Sequence, residues 1–411
     1  MPENWKTYKL GDLVEVNSNS IRKGDLDWMH YIDIKSVGSG YYDRPTKLDF
    51  KDAPSRARRL LLEGDTVISS VRPNLKSFFY ANNLDENAIA STGFSVLTPK
   101  RIEPRFLYYL TTNDNYIEYL VQSCTGSAYP AFGPKVITDS TVTIPPLPEQ
   151  RAIASILSAL DDKIENNLAM NKTLEDMAMA LYKHWFVDFG PFQEGKFIDS
   201  ELGLIPEGWE VKGLLEIVDL LTGGTPKTKI KEYWNGDIKW VSAKDLGNSG
   251  NIYTTQTERT ITPLGISKSA AKLLPEDSTI IVARGSVGKM GMLSEPMAIN
   301  QSCFGLYPKQ DYSPSIIYLL IRRLVERFQQ ISYGSVFDTI TTSSFSSTNI
   351  VCPPKMIVNN MNLSIEPMFK KIKANSIENQ TLIKLRDTLL PKLISGEVRL
   401  KEFEKEITAA L

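Results

Sequence analysis

One unit of roughly two hundred residues is written twice in this chain, and any fold it adopts must hold two copies. Pro2-Glu3-Asn4-Trp5 returns as Pro206-Glu207-Gly208-Trp209, and Glu63-Gly64-Asp65-Thr66-Val67-Ile68 resembles Glu276-Asp277-Ser278-Thr279-Ile280-Ile281. Gly126-Ser127 returns as Gly334-Ser335 and Pro145-Pro146 as Pro353-Pro354, each 208 residues later. The matches are short, but their order is kept and their spacing stays in a narrow band, which chance explains poorly. An internal repeat decides the architecture before any single element does. A length of 411 residues also exceeds what one hydrophobic core ordinarily serves, so two or three domains are expected.

A helical segment follows each Pro-Pro. Ile153, Leu157, Leu160, Ile164, Leu174, Ala178, Leu181 and Trp185 recur at alternating four- and three-residue steps, the heptad stripe of a coiled coil. Asn167 and Asn171 interrupt the stripe. Moving 208 residues on gives Met361, Ile365, Met368, Ile372, Leu382, Arg386, Leu389 and Leu393, with Asn375 and Asn379 at the same polar places. Asparagine buried in such a seam weakens it but fixes register and partner; on the other reading, the four amides lie along a wet edge. Helices of about 35–40 residues span ~55–60 Å. The first is expected to start near Pro148-Glu149 and fray near Gly190, the second to start around Met361 to Pro367 and end at Gly396. If a two-fold axis relates the halves, the helices run antiparallel, which sets Asn167 opposite Asn379 and Asn171 opposite Asn375.

The expected organisation is a globular domain over 1–147, a long helix over 148–190, a linker over 191–205, a second globular domain over 206–356, a second helix over 357–396 and a tail over 397–411. The globular parts read as mixed α/β. Strand-like runs such as Thr66-Val67-Ile68, Ser95-Val96-Leu97 and Thr279-Ile280-Ile281-Val282 lie between Gly-, Pro- and Asn-rich turns, with helical patches at Pro104 to Val121 and Ser315 to Ile331. The fold class is therefore mixed α/β (α+β): two globular domains separated by two long antiparallel helices forming a coiled coil, with a pseudo-two-fold repeat. The domains share a frame and differ where a ligand would be met. The second has Gly223-Gly224-Thr225-Pro226, then Trp234 and Ile238-Lys239-Trp240-Val241; the first has Asn17-Ser18-Asn19-Ser20 and Tyr31-Ile32-Asp33-Ile34-Lys35.

Composition narrows the partners. No apolar run approaches the ~20 residues of a membrane helix, and the first ten residues carry no signal-peptide core. Three scattered cysteines, Cys124, Cys303 and Cys352, argue against a disulfide framework and fit a reducing cytoplasm. With only His30 and His184 beside them, no zinc-ligand pattern can be drawn. A net charge of −1 leaves nucleic acid open, because phosphate binding depends on where charges sit. Residues 51–80 hold Lys51, Arg56, Arg58, Arg59, Arg72 and Lys76 against Asp52, Glu63 and Asp65, which reads as a basic surface or as ordinary fluctuation.

Catalytic motifs fail on inspection. Ala283-Arg284-Gly285-Ser286-Val287-Gly288-Lys289-Met290 approaches a P-loop, but Ala283 replaces its first glycine and Met290 its magnesium-binding hydroxyl. It reads better as a glycine-rich loop offering Arg284, Ser286 and Lys289 to DNA. Asp188-Phe189-Gly190 copies a kinase tripeptide without the rest of a kinase and is read as helix-end punctuation. Ile144-Pro145-Pro146-Leu147 has the prolines of an amino-methyltransferase motif but no polar residue to hold the target amine. No strand–loop–helix for S-adenosylmethionine and no helicase motor is found, so no catalytic centre is expected in this chain.

Several motifs carry a family resemblance over nearly the whole chain. Pro145-Pro146-Leu147-Pro148-Glu149-Gln150-Arg151 opens a long helix, Leu181-Tyr182-Lys183-His184-Trp185-Phe186 lies toward its end, Gly223-Gly224-Thr225-Pro226 starts the second domain, and Leu390-Pro391-Lys392-Leu393-Ile394-Ser395-Gly396 closes the second helix. Together with their order, these resemble the specificity subunit of type I restriction–modification enzymes. The sequence departs from the pattern in two places. The first domain lacks Gly-Gly-Thr-Pro, which leaves its base contacts hard to place, and Cys352-Pro353-Pro354-Lys355-Met356 lacks the Glu-Gln of the first copy.

The resemblance implies a DNA-recognition subunit whose two domains each read half of a bipartite, asymmetric site. Two modification subunits would clamp around it, bringing S-adenosylmethionine and the adenine-methylating site. A restriction subunit that translocates DNA with ATP and magnesium would join them. This chain itself would bind no cofactor. The helix faces carrying Lys163, Glu165, Lys172 and Glu175 are candidate docking surfaces, or else solvated salt-bridge faces.

DNA contact calls for basic, amide or aromatic side chains in loops. In the first domain the candidates are Arg56, Arg58, Arg72, Asn74, Lys76, Ser127 and Tyr129; in the second they are Thr225, Lys227, Lys244, Arg284, Ser286, Lys289, Asn300, Gln301 and Ser335. Other readings remain open: the recognition subunit of another multi-subunit restriction–modification system, or a coiled-coil adaptor that binds proteins.

Overall fold

The computed structural model describes residues 4–22, 24–246, 251–309, 312–331 and 339–399. It divides into two compact units, one of Met1–Asp162 with Ile383–Leu411 and one of Lys163–Leu382, so each long helix contributes to both.

In the first unit, strands Val14–Val16, Phe94–Pro99, Thr66–Ser69 and Phe78–Tyr80 form an antiparallel sheet in that order. A second sheet runs Lys47–Asp49, Trp28–Ile32, Ala88–Ser91, Ala57–Leu60, with Trp28–Ile32 and Ala88–Ser91 parallel. Ile32, Val67, Phe79, Phe94 and Val96 make one apolar core with alternate residues of these strands, as a pleat of period two requires. Helices Pro104–Thr112 and Asp114–Gln122 pack into another core with Leu10, Leu97 and the start of the central helix. Asn113 breaks what reads in sequence as one helix, capping the second by accepting from the Tyr116 N–H at 3.1 Å.

The second unit repeats this plan strand for strand. Val218–Thr222, Cys303–Pro308, Thr279–Val282 and Met290–Leu293 stand in the same order, with Tyr253–Thr254 added at the edge. The companion sheet is Arg259–Ile261, Trp234–Val241, Met297–Ile299, Leu273–Leu274, again with its middle pair parallel. Each domain is closed by a ribbon of its own first and last strands: Lys6–Lys9 with Thr141–Ile144, and Glu210–Gly213 with Asn349–Cys352.

The repeat extends to single turns. Gly64 at φ 91° and Asp277 at φ 63° hold the same left-handed position, followed by Asp65 N–H to Leu62 O at 3.1 Å and Ser278 N–H to Pro275 O at 3.3 Å. The next side chains differ in charge. Asp65 is fully buried; one oxygen accepts the Leu62 N–H at 2.8 Å, and burial pushes its carboxyl above 3.8. A carboxylate raised on folding gives stability that is fully present below its unfolded pKa and lost as pH rises through the folded value. Asp65→Asn keeps the acceptor for Leu62 and removes the buried charge. It is expected to raise the melting temperature at pH 7 by about 2–4 °C, or about 1 kcal/mol, with the gain vanishing at acid pH in a thermal melt series.

The two long helices are Leu147–Phe186 and Lys355–Ser395. The first is stitched down by Gln150, whose buried amide donates to Pro145 O at 2.8 Å and accepts the Glu103 N–H at 3.0 Å. At the corresponding place the second copy has Val358, which is buried and packs with Met361 and Ile365. That contact is why the second helix starts at Lys355 rather than at Met361 to Pro367 as its heptad stripe suggested. The chain leaves it through Gly396 at φ 72°, a conformation glycine adopts without penalty.

The buried stripe follows Ile153, Leu157, Ile164, Asn167, Asn171 and Ala178, then shifts to Tyr182 and Phe186, leaving Leu181 and Trp185 half-buried. On the second helix Phe369 is buried where the stripe named Met368. An α-helix drifts against a strict seven-residue repeat, and here aromatic contacts take up the drift. Phe186 meets Trp209 at 5.9 Å and Phe369 meets Tyr318 at 5.7 Å.

Candidate nucleic-acid interface

The four asparagines make one hydrogen bond twice. Asn167 Nδ2 donates to Asn379 Oδ1 at 2.8 Å, and Asn375 Nδ2 donates to Asn171 Oδ1 at 2.8 Å. Moving 208 residues along and exchanging helices turns one bond into the other. Because 167 meets 379 and 171 meets 375, the helices run antiparallel here, and none of the four side chains is more than 2% exposed, which removes the wet-edge reading. Asn167 also donates to Glu378 at 2.8 Å and Asn379 to Ile164 O at 3.3 Å. The Oδ1 atoms of Asn167 and Asn375 are buried without a partner. A seam bonded in this way is poorly matched by a helix slipped one turn, where buried amides would face leucine and isoleucine.

At one end of the first domain's sheets, strand ends and loops gather the sequence candidates. Thr66–Ser69 leads into Arg72 and Lys76, both left-handed at φ 48° and 53° around Pro73-Asn74-Leu75. The loop after Asp114–Gln122 lies against it: Val71 bridges Ala131, Arg72 N–H bonds Pro130 O at 2.8 Å, and the Arg72 guanidinium sits 4.6 Å over the Tyr129 ring. Arg72, Asn74, Lys76, Ser127 and Tyr129 are thus brought together and exposed, Tyr129 by 70%. Lys76 is partly spent on Asp114 at 2.7 Å. Arg56 joins through the backbone, its carbonyl accepting the Thr92 N–H at 2.8 Å beside Gly93, whose carbonyl takes the Ser70 N–H at 2.8 Å. Arg58 is half-buried over Phe50 at 5.6 Å and is less available.

The second domain builds the same end from other residues. Gly224 N–H bonds Ile299 O at 3.0 Å, Asn300 N–H bonds Val241 O at 2.9 Å, and Ala283 N–H bonds Ser302 O at 2.7 Å, so the loops after four strands meet. Arg284 bridges Thr339 as Val71 bridges Ala131 in the first domain. Exposed Lys227, Lys244, Arg284, Ser286, Lys289 and Gln301, with half-buried Thr225, share this end. Lys244, Ser286 and Lys289 line an open cleft of about 430 Å³ with Ala243, Asp245 and Glu258. Asn300 is half-buried and caps its own turn, accepting the Ser302 N–H at 3.0 Å. Ser335 lies outside the described residues. Arg284 to Lys289 joins two antiparallel strands, Thr279–Val282 and Met290–Leu293, whereas a P-loop passes from a strand into a helix.

The glycines of Gly223-Gly224 are required by space. A Cβ on Gly223 would lie 2.0 Å from Asn300 O, and one on Gly224 2.3 Å from the Ala270 carbonyl carbon. Trp240 Nε1 donates to Gly224 O at 3.0 Å and Trp234 Nε1 to Lys227 O at 3.3 Å, fixing this loop to the sheet. In the first domain Asn17, at φ 59°, takes the place of the turn and bonds Val96 through both its backbone N–H (2.8 Å) and its Oδ1 (3.0 Å).

Two arginines near these ends were not among the contact candidates. Arg59, named above only as part of the basic run over 51–80, lies inside a strand and donates to Ser20 at 3.1 Å beside that turn. Arg259 lies 3.5 Å over the Trp234 ring. Neither stands in a glycine-rich loop; for Arg259, its place across an antiparallel pair from Trp240 was the available signal. One docking candidate is corrected: Glu175 faces inward, 16% exposed, bonded to Arg322 and to the Tyr318 hydroxyl. Lys163 pairs with Glu378 at 3.3 Å and Lys172 with Asp176 at 3.2 Å, both exposed, as is Glu165.

The repeated scaffold has counterparts in known proteins. A model of the type I restriction modification DNA specificity domain matches residues 2–176 and again residues 206–385. The chain belongs to that family and carries its domain twice. It is similar to the type I restriction enzyme HindI specificity subunit of Haemophilus influenzae, 26% identical over 96% of this chain and 100% of that protein. It is also similar to the type I restriction enzyme MjaIX specificity subunit of Methanocaldococcus jannaschii, 28% identical over 98% and 95%. The crystal structure of the type I restriction–modification system S subunit from M. genitalium shares the fold, with a TM-score of 0.56 at 15% identity over 95% of this chain and 96% of that one.

Proposed function

We propose that this protein is the sequence-reading, non-catalytic subunit of a type I restriction–modification complex, each domain contacting one half of a bipartite, asymmetric DNA site. The observation that carries the reading is the pairing of one scaffold, repeated strand for strand, with two unlike sets of exposed loop residues. Arg72, Asn74, Lys76, Ser127 and Tyr129 mark one, and Lys227, Lys244, Arg284, Ser286, Lys289 and Gln301 mark the other. Lysine and arginine on phosphates supply affinity, while amide, hydroxyl and guanidinium groups on base edges supply sequence.

The helix pair, locked in register by its asparagines, sets the gap between half-sites. The exposed faces with Lys163, Glu165 and Lys172 receive two modification subunits, which bring S-adenosylmethionine and the methylating site. A restriction subunit adds ATP- and magnesium-dependent translocation. No described helix is long and apolar enough to cross a membrane, and a cytoplasmic location suits a partner of chromosomal DNA. Footprinting of the assembled complex tests the reading. It is expected to protect two short segments flanking a less protected gap; a complex that protects no DNA would favour a protein adaptor instead.

A further inference from the structure

Eight basic and four acidic residues lie between 226 and 272, in a chain whose net charge is −1. Two of these cations are neutralised: Lys239 by Glu295 at 3.0 Å and Lys244 by Glu258 at 3.7 Å. The other six, Lys227, Lys229, Lys231, Arg259, Lys268 and Lys272, are exposed and form no ion pair among the described residues. One ring organises the group. The Arg259 guanidinium lies 3.5 Å over the face of Trp234, and the indole N–H of the same ring donates to Lys227 O at 3.3 Å. Thr262 ties in the neighbouring turn, its N–H bonding Tyr233 O at 3.0 Å and its hydroxyl Glu232 O at 2.8 Å. The edge strand Arg259–Ile261 and the lysine-bearing loop therefore form one lobe beside the Gly223-Gly224 turn.

A guanidinium held over an indole face is positioned by it and keeps N–H groups free to bond. All six groups are donors only. In the major groove donors alone read only guanine, and no amide or hydroxyl is needed on phosphate oxygens, so six cations clustered together suit the acceptor-only phosphodiester backbone. We propose that this lobe grips the phosphate backbone of double-stranded DNA beside the base-reading loops, with Arg259 on Trp234 as its anchoring cation. The inference rests on the DNA-specificity reading above and assigns the lobe affinity without sequence preference.

The test is Arg259→Ala in the full chain assembled with its modification subunits, since an exposed side chain can be truncated without loss of fold. Binding is measured across a salt titration on a cognate duplex and on a scrambled duplex of equal length. Both affinities are expected to fall by the same factor, roughly tenfold at 0.1 M salt, and the slope of log K against log salt to become shallower by about 0.9. The methylated sequence stays the same, and Arg259→Lys keeps the slope. An unchanged affinity and slope would overturn the inference alone, as would a loss confined to the cognate duplex with one base position relaxed. A wild-type assembly that binds neither duplex would overturn the DNA reading along with it.

Discussion

Gly224→Ala is expected to destabilise the second unit by about 3 kcal/mol or more and to erase its half of the recognition sequence, leaving the other half readable. The new methyl would stand 2.3 Å from the Ala270 carbonyl carbon and 2.4 Å from the Ala271 nitrogen. Both are backbone atoms next to a strand of the small sheet, so relief requires moving the chain itself, at the upper end of the cost of overpacking. The Trp240 indole and Ile299 carbonyl that hold Gly224 would lose their geometry in the same step. Gly285→Ala is the control. Gly285 sits at φ 83° with nothing within 4 Å of an added Cβ, so only the backbone preference is violated, at about 1 kcal/mol. Thermal unfolding of the two variants separates crowding from conformation; equal losses would contradict the packing described.

The second large effect comes from a charge in the helix seam. Asp161 accepts from the Tyr109 hydroxyl at 2.5 Å and from Arg386 at 2.8 Å, with side chains 20% and 30% exposed for the aspartate and arginine. Burial, then the Asp161 carboxylate, pushes the Tyr109 phenol up, so it remains a donor. Moving both positions 208 residues and exchanging helices gives Phe369 and Ala178, both buried, with Phe369 against Tyr318. In that repeat the helix-seam charge is absent, and the tyrosine beside it gives its hydroxyl to Glu175 instead.

Asp161→Ala leaves the Tyr109 phenol without its acceptor and Arg386 with only the exposed Asp387 as a partner, and is expected to cost roughly 2–3 kcal/mol, below the full value for a wholly buried pair. Asp161→Phe with Arg386→Ala copies the two helix positions of the other repeat, and Tyr109→Phe removes the hydroxyl that Asp161 served. That triple variant is expected to recover at least half of the loss, a coupling of more than about 1 kcal/mol in a multiple-mutant cycle. Strictly additive losses would mean that the two repeats are not interchangeable at this position.

The sequence carried the architecture because its signals were local or repeated. The 208-residue offset announced two copies, the Pro-Pro runs marked helix starts, and two asparagines per helix fell in one stripe. The Gly-Gly turn was visible as a motif, although the reason for it, backbone that an added Cβ would meet at 2.0 Å and 2.3 Å, depends on residues some 46–77 positions away. What escaped was long-range. Glu175 reads as a solvated helix residue, yet its partners Tyr318 and Arg322 lie 143 and 147 positions on. Arg386 breaks the apolar stripe, and its partner on the other helix is Asp161, 225 positions earlier. Arg259 joins the basic lobe only because strand pairing sets it across from Trp240.

The central claim is that a symmetric scaffold reads an asymmetric message through two different loop sets at a fixed spacing. Methylation-sensitive sequencing of the source genome tests it directly. The expected result is one methylated motif with two unlike half-sites and a single gap length, lost when this chain's gene is deleted. A palindromic motif, a variable gap, or methylation that persists after the deletion would contradict it.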